Sequence, residues 1–184
     1  MITSFYNEEE IIKLGLKKYG RNVLISRKAS LYSPELIQLG NNVRIDDFCI
    51  LSGNVSIGSY VHISAYTALY GKFGVFIEDF VTISGRVLVY SQTDDYSGEF
   101  MTNPMVNPNL TRVTGGPVIF QKHSIIAAGC IIFPEVTIGE GTAVGAMSMV
   151  NRNLDPWSIY VGIPVKYLKP RSKKILELEL LIND

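Results

Sequence analysis

From Phe120 to Asn151 an aliphatic or aromatic residue returns at every sixth position: Phe120, Ile126, Ile132, Ile138, Val144 and Val150. Four places after each of the first five stands a small or β-branched residue: Ser124, Cys130, Val136, Thr142 and Ser148. A helix repeats at about 3.6 residues and a strand at 2, so neither is the repeating unit. A coil of three short sides, with six residues to a side, satisfies the period. Each turn then buries its apolar positions against the turns above and below, as in a parallel β-helix built from hexapeptide repeats.

The same step runs earlier in the chain. It begins at Ile25 and Leu31, slips by two residues to Leu39, and continues through Ile45, Leu51, Ile57, Ile63 and Leu69. Val43, Cys49, Val55, Val61 and Thr67 hold the companion places. A second two-residue insertion, in the turn Gly71-Lys72-Phe73-Gly74, resets the phase to Ile77, Ile83 and Val89. The expected fold class is all-β: a single-stranded parallel β-helix in one domain of 184 residues, a length sufficient for one sizeable core.

A solenoid has two ends that expose apolar surface and strand edges. Residues 1–20 are expected to be a helical cap. Asn7 is the capping residue, Glu8, Glu9 and Glu10 fill the first turn, and Gly20 is the stop. Residues 172–182, SKKILELELLI, suit a terminal helix over the other end. Between these caps the expected order is β-helix over 21–90, a loop over 91–117, β-helix over 118–154 and a tail over 155–184.

Lys plus Arg equals Asp plus Glu at 17 each, which argues against a general nucleic-acid or membrane-surface binder. Cys49 and Cys130 both fall at interior repeat positions and read as buried free thiols. No basic-then-apolar leader opens the chain and no uncharged run approaches a membrane span, so a cytoplasmic protein is expected. The chain has no P-loop or G-x-G-x-x-G motif, and its two histidines and two interior cysteines offer no metal-ligand cluster.

The period disappears between Val89 and Phe120. This stretch is polar and turn-rich, from Ser91-Gln92-Thr93-Asp94-Asp95-Tyr96-Ser97-Gly98-Glu99 to Gly115-Gly116-Pro117. A loop of this length set inside a regular solenoid is usually functional.

IGEGTAVGAMSMV followed by NRNLDPWSIYVGIPVKYLK resembles the C-terminal signature of the hexapeptide acyltransferases, and the resemblance spans residues 20–172. Within that family, the loop YSQTDDYSGEFMTNPMV with GPVIFQKHSII is more similar to the N-acyltransferases of surface-polysaccharide synthesis. Those enzymes act on nucleotide-linked 4-amino-4,6-dideoxyglucose, as in anthrose biosynthesis. The resemblance implies a left-handed coil, a homotrimer, acetyl-CoA or a longer acyl-CoA as co-substrate, and a dTDP-linked amino sugar as acceptor. The related galactoside-type enzymes carry a catalytic histidine in the long loop. Here the loop holds Asp94 and Asp95 and no histidine, so that mechanism does not carry over.

Acyl transfer from a thioester needs an oriented nucleophile, a route for its proton, a donor for the oxyanion and a groove for the coenzyme. His123, on the first coil after the loop, is the candidate for proton transfer, because imidazole is matched to neutral pH. Asp94 is the candidate to hold the sugar amine, and Asp95, Tyr96 and Glu99 are further substrate contacts in the loop; turn formation competes as a role for the aspartates. Ser84, at an outward place on the last coil before the loop, is the oxyanion donor. His62 also points outward and is a substrate contact, several coils from the loop. Ala127, Ala128, Gly145 and Ala146 keep one face low enough for a pantetheine arm. Arg152, Lys166 and Arg171 are the partners for the coenzyme's phosphates, drawn from a basic tail that also holds Lys169, Lys173 and Lys174. O-acetylation of a sugar or polysaccharide hydroxyl is the second reading, and a non-catalytic β-helix scaffold the third.

Overall fold

The computed structural model describes residues 4–182. The chain winds as a parallel β-solenoid of stacked three-sided coils. The first face carries Val23–Ile25, Val43–Ile45, His62–Ile63, Thr82–Ile83, Ile125–Ile126, Ala143–Val144 and Ser158–Val161, each paired in parallel with its neighbours in that order. Ile50–Ile57 and Ala68–Ile77 bend from the second face onto the third. Leu88–Tyr90, Ile131–Ile132 and Met149–Val150 continue the second face, and Val118–Phe120 and Thr137–Ile138 the third.

The six-residue period fixes this register. On the first face Ile25, Ile45, Ile63, Ile83, Ile126 and Val144 form one aligned column. Leu51, Leu69, Val89, Ile132 and Val150 form the second, and Leu39, Ile57, Ile77, Phe120 and Ile138 the third. All of these side chains are buried, so each contributes on the order of 1.5–3 kcal/mol of apolar burial. Cys49 and Cys130 are free and buried.

The caps differ from the expectation. Helix α1 covers Glu8–Lys13 alone, and the first three residues of the expected cap lie outside the described residues. Its capping box forms: Glu10 N donates to Asn7 Oδ1 at 2.9 Å and Asn7 N donates to Glu10 Oε2 at 2.8 Å. The helix stops at Gly15, whose φ of +72° leaves the helical region, five residues before the expected Gly20. Beyond it Lys18 bridges Gln38, so this segment lies over the first coil as extended chain. Gly20 serves instead as a close approach, since a Cβ there would stand 2.2 Å from Asn41 Oδ1.

Helix α2, Ile175–Glu179, is shorter than expected and does not close the C-terminal end. It lies along the edge between the third and first faces, because Glu179 is drawn to Lys122 and His123 there. The end of the solenoid is finished by Lys166–Pro170, which turns back antiparallel to Ser158–Val161.

The 91–117 insertion leaves the edge between the second and third faces. It is rooted as a two-stranded antiparallel arm, Gln92–Asp94 against Val113–Gly115, rather than as structureless loop. Ser91 anchors it: its buried hydroxyl donates to Tyr70 O at 2.8 Å and accepts from Phe73 N at 2.9 Å.

Candidate active site

The edge between the first and second faces carries a continuous column. Asp46 N donates to Ile63 O, Ser64 N to Ile83 O, Ser84 N to Ile126 O, Ala127 N to Val144 O and Gly145 N to Tyr160 O. Asp46, Ser64, Ser84, Ala127 and Gly145 therefore sit one above another. Side chains shrink along the column from carboxylate and hydroxyls to methyl and hydrogen, which leaves a shallow strip beyond Ser84. Gly145 is required by packing: the Val161 side chain fills the space beside it, and a Cβ would meet Val161 Cγ1 at 2.5 Å. Lys166 pairs with Val161 at the far end of the strip, and Ala128 and Ala146 are exposed beside it.

His62 stands on the coil next to that of Ser84, aligned with Thr82. It is one coil from the coil that bears the arm, closer than its sequence position suggested. Its Nε2 lies 2.7 Å from Asp46 Oδ2, and Arg44 Nε donates to Asp46 Oδ1 at 2.7 Å. Burial pushes the Asp46 carboxyl up, but hydrogen bonds from His62 and Arg44 outweigh it and leave the group below its ordinary value. Ser64 Oγ is 3.5 Å from His62 Nε2. Sequence reading missed this Arg44–Asp46–His62–Ser64 cluster. Its members are separated by about one coil of chain, a spacing visible only once the coil length is known.

The edge between the second and third faces carries the arm. Here Tyr90, Gln92, Thr93, Asp94, Tyr96, Val113, Ile131, Phe133 and Pro134 line an open cavity of about 360 Å³. Asp94 is exposed and is the only charged side chain in this wall among the described residues. Asp95 turns the other way and shapes the arm: it accepts from Ser97 Oγ at 2.8 Å and Gly98 N at 3.1 Å. The Ser97 hydroxyl holds the Asp95 carboxyl below its ordinary value. Tyr96 and Glu99 are exposed on the arm.

The third edge holds His123. It is 5% exposed and ends a ladder of rings, with Phe80 stacked on Tyr60 at 4.8 Å and His123 on Phe80 at 5.2 Å. Trp157 flanks the imidazole at 6.3 Å. The backbone of all four residues is left-handed, with φ between +54° and +62°. Stacking of about 0.5–1.5 kcal/mol per pair offsets part of that strain. His123 Nε2 lies 2.9 Å from Glu179 Oε2, and Lys122 Nζ donates to Glu179 Oε1 at 2.6 Å. Glu179 is held below its ordinary value mainly by Lys122, with His123 adding to the effect.

The three residues assigned to the chemistry thus stand on three different edges of the prism. Asp94 and His123 do not meet within one chain. His123 is buried beneath α2, where its imidazole faces Glu179. Arg171 lies on the same edge. Its Nη1 donates to His123 O at 2.9 Å and to Gly141 O at 3.0 Å, which clamps this edge. Arg152 Nη2 donates to Val165 O at 3.1 Å, beside the C-terminal coil. Among the described residues no group of His, Cys, Asp and Glu could hold a metal ion, and no helix is long and apolar enough to cross a membrane.

Comparison with known proteins adds to this geometry. Residues 37–71 match the model of the bacterial transferase hexapeptide (six repeats) family. A dTDP-4-amino-4,6-dideoxy-D-glucose acyltransferase of Escherichia coli is 44% identical over 179 residues, covering 96% of this chain and 93% of that protein. AntD, an N-acyltransferase from Bacillus cereus, has been solved with dTDP and 3-hydroxybutyryl-CoA. It superposes with a TM-score of 0.94 at 56% identity, covering 98% of this chain and 96% of that one. Its S84A variant, solved with dTDP-4-amino-4,6-dideoxyglucose and coenzyme A, superposes with a TM-score of 0.93 at 55% identity, covering 98% and 97%.

Proposed function

The chain belongs to the hexapeptide-repeat acyltransferases, and from that premise we propose that it moves an acyl group from a coenzyme A thioester onto the amino group of a dTDP-linked 4-amino-4,6-dideoxy sugar. The observation that carries this reading is the near full-length likeness to an acyltransferase named for that sugar nucleotide. The absence of a histidine from residues 91–117 agrees with it. An amine in its neutral form attacks a thioester with less help from a base than a hydroxyl needs.

In this reading the thioester lies along the strip of Ala127 and Gly145, with its carbonyl at Ser84. The Ser84 hydroxyl donates to the oxyanion as the nitrogen adds. Asp94 accepts a hydrogen bond from the amine and aims its lone pair at the carbonyl carbon. The C–N bond forms and the C–S bond breaks. The proton lost by nitrogen balances the one gained by the coenzyme thiol. His62, fixed by Asp46, faces the acceptor side of Ser84, and Lys166 meets the coenzyme's phosphates.

Ser84 and Asp94 lie on different edges, so one chain does not complete this site. We assign the protein as a homotrimer in which the arm of one copy reaches the first-to-second-face edge of the next. With a coenzyme A thioester and a dTDP-linked sugar as its substrates, the enzyme in this reading works in the cytoplasm.

The test is purified protein incubated with an acyl-CoA and either dTDP-4-amino-4,6-dideoxyglucose or its 4-hydroxyl counterpart. Thiol release and product mass are followed. Amide formation with the amine alone is expected, and Asp94→Ala should lower kcat/KM by about two orders of magnitude. Acylation of the hydroxyl substrate at a comparable rate favours the O-acetyltransferase reading. Light scattering that gives a monomer removes the shared site.

A further inference from the structure

Both carboxylate oxygens of Asp46 are taken. Arg44 Nε donates to Oδ1 and His62 Nε2 meets Oδ2, each at 2.7 Å. Arg44 is also held from its other side, with its guanidinium 5.4 Å from the centre of the Phe5 ring. The Asp46 carboxyl lies below its ordinary value, so at neutral pH it is ionised and can only accept. The hydrogen between the two groups therefore belongs to Nε2, and neutral His62 has a bare Nδ1. Among the described residues Nδ1 makes no hydrogen bond.

A bare imidazole nitrogen at this place answers a need of the chemistry. An alkyl amine is mostly ammonium at neutral pH, and it attacks a thioester only after losing a proton. A carboxylate is several units too weak a base to keep that proton, whereas imidazole is a much closer match. The chain has two histidines. His123 is buried and faces Glu179, but the His62 side chain is 40% exposed. His62 also stands close to Ser84. Ser64 Oγ is 3.5 Å from its ring, and Ser64 is one coil from Ser84 in the edge column, roughly 4.8 Å away.

We propose that Arg44 and Asp46 are positioning residues that hold His62 with Nδ1 free to take the first proton from the acceptor's ammonium group. The inference rests on the acyl-transfer reading and adds the route of that proton. The ammonium gives up two protons per turnover. The first passes to His62 Nδ1 and from there to water, which the exposed ring can reach. The second leaves nitrogen after the C–N bond forms and the C–S bond breaks, and it balances the one gained by the coenzyme thiol. The charged groups that face His62 come from one side, Arg44 and Asp46 on the preceding coil. On the following coil its aligned neighbour is Thr82, which carries no charge.

The test measures kcat/KM from about pH 6 to about pH 9.5 with dTDP-4-amino-4,6-dideoxyglucose and acetyl-CoA or 3-hydroxybutyryl-CoA, whichever the wild type uses faster. The proteins are the wild type, Asp46→Asn, His62→Gln and the double variant. In Asp46→Asn the amide oxygen must turn to Arg44, which only donates. The amide nitrogen then meets Nε2 and drives the hydrogen onto Nδ1, so the acceptor is lost. Each single variant should lose about 100-fold near pH 7 and come within about threefold of the wild type near pH 9.5, where the amine is already neutral. The double variant should be no slower than His62→Gln, because Asp46 acts through the imidazole. His62 is partly exposed, so His62→Gln carries the pH comparison by itself if Asp46→Asn does not fold. A loss of the same size at both pH values overturns the proposal and leaves acyl transfer standing. So does a His62→Gln rate within about twofold of the wild type near pH 7, or a double variant in which the two losses multiply. Absence of transfer by the wild type at every pH overturns the acyl-transfer reading together with this one.

Discussion

In the proposed mechanism the arm acts through Asp94, so its root must hold that carboxylate in place, and Gly115 offers a direct test. Gly115 pairs with Gln92 and adopts φ of +147°, a region open essentially to glycine. A Cβ there would stand 2.3 Å from Ser91 O and 2.8 Å from Gln92 Cα. Both are backbone atoms, and Ser91 is pinned by its hydrogen bonds to Tyr70 and Phe73, so the two arm strands must separate. The nearer contact falls roughly 1 Å short of ordinary van der Waals distance. A shift of that size in a reacting group costs on the order of 100-fold in rate. Backbone strain of about 1–3 kcal/mol should lower Tm by about 2–12 °C for a chain of this size. The assays are kcat/KM by thiol release and Tm by differential scanning fluorimetry. Gly15→Ala is the comparison: φ there is +72° and an added Cβ meets nothing within 4 Å, so it should lower Tm modestly and leave the rate unchanged. If Gly115→Ala lost stability yet kept the wild-type rate, the arm would not be what positions the reacting amine.

Two further outcomes follow from the other edges. Glu179 is held below its ordinary value of 4.5, so its contribution to stability is complete above that pH and is lost as pH falls through the folded-state value. Glu179→Gln should flatten the fall in Tm between neutral and acidic pH. A fall as steep as in the wild type would show that α2 is not latched through this carboxylate. Burial pushes the Cys49 thiol up to about 11 and also raises that of Cys130. Neither should react with a thiol reagent at pH 7–8 until denaturant is added; rapid labelling of the native protein would place one of them outside the core.

The sequence determined the solenoid because its signal is periodic. Ile45, Ile63, Ile83 and Ile126 each recur at one place per coil, and a buried column has one register that keeps all of them inside. The same logic exposed the arm, which is where the period fails, and the capping box of α1, which is local. The residue types of the proposed site were legible, and Ser84, Ala127 and Gly145 fall on one edge because they share a phase of the repeat.

Tertiary structure decided what each polar side chain faces. No period carries the fifty-six positions that separate His123 from Glu179, so the sequence could not show that the imidazole is buried and occupied. Nor could it show Arg171 folding back onto His123 O, or Asp46 meeting His62 across neighbouring coils. Apolar periodicity tells which side chains point inward, because water treats all of them alike. Polar contacts depend on direction and on distances of a few ångström, and those are set only when separate edges, tails and arms have packed.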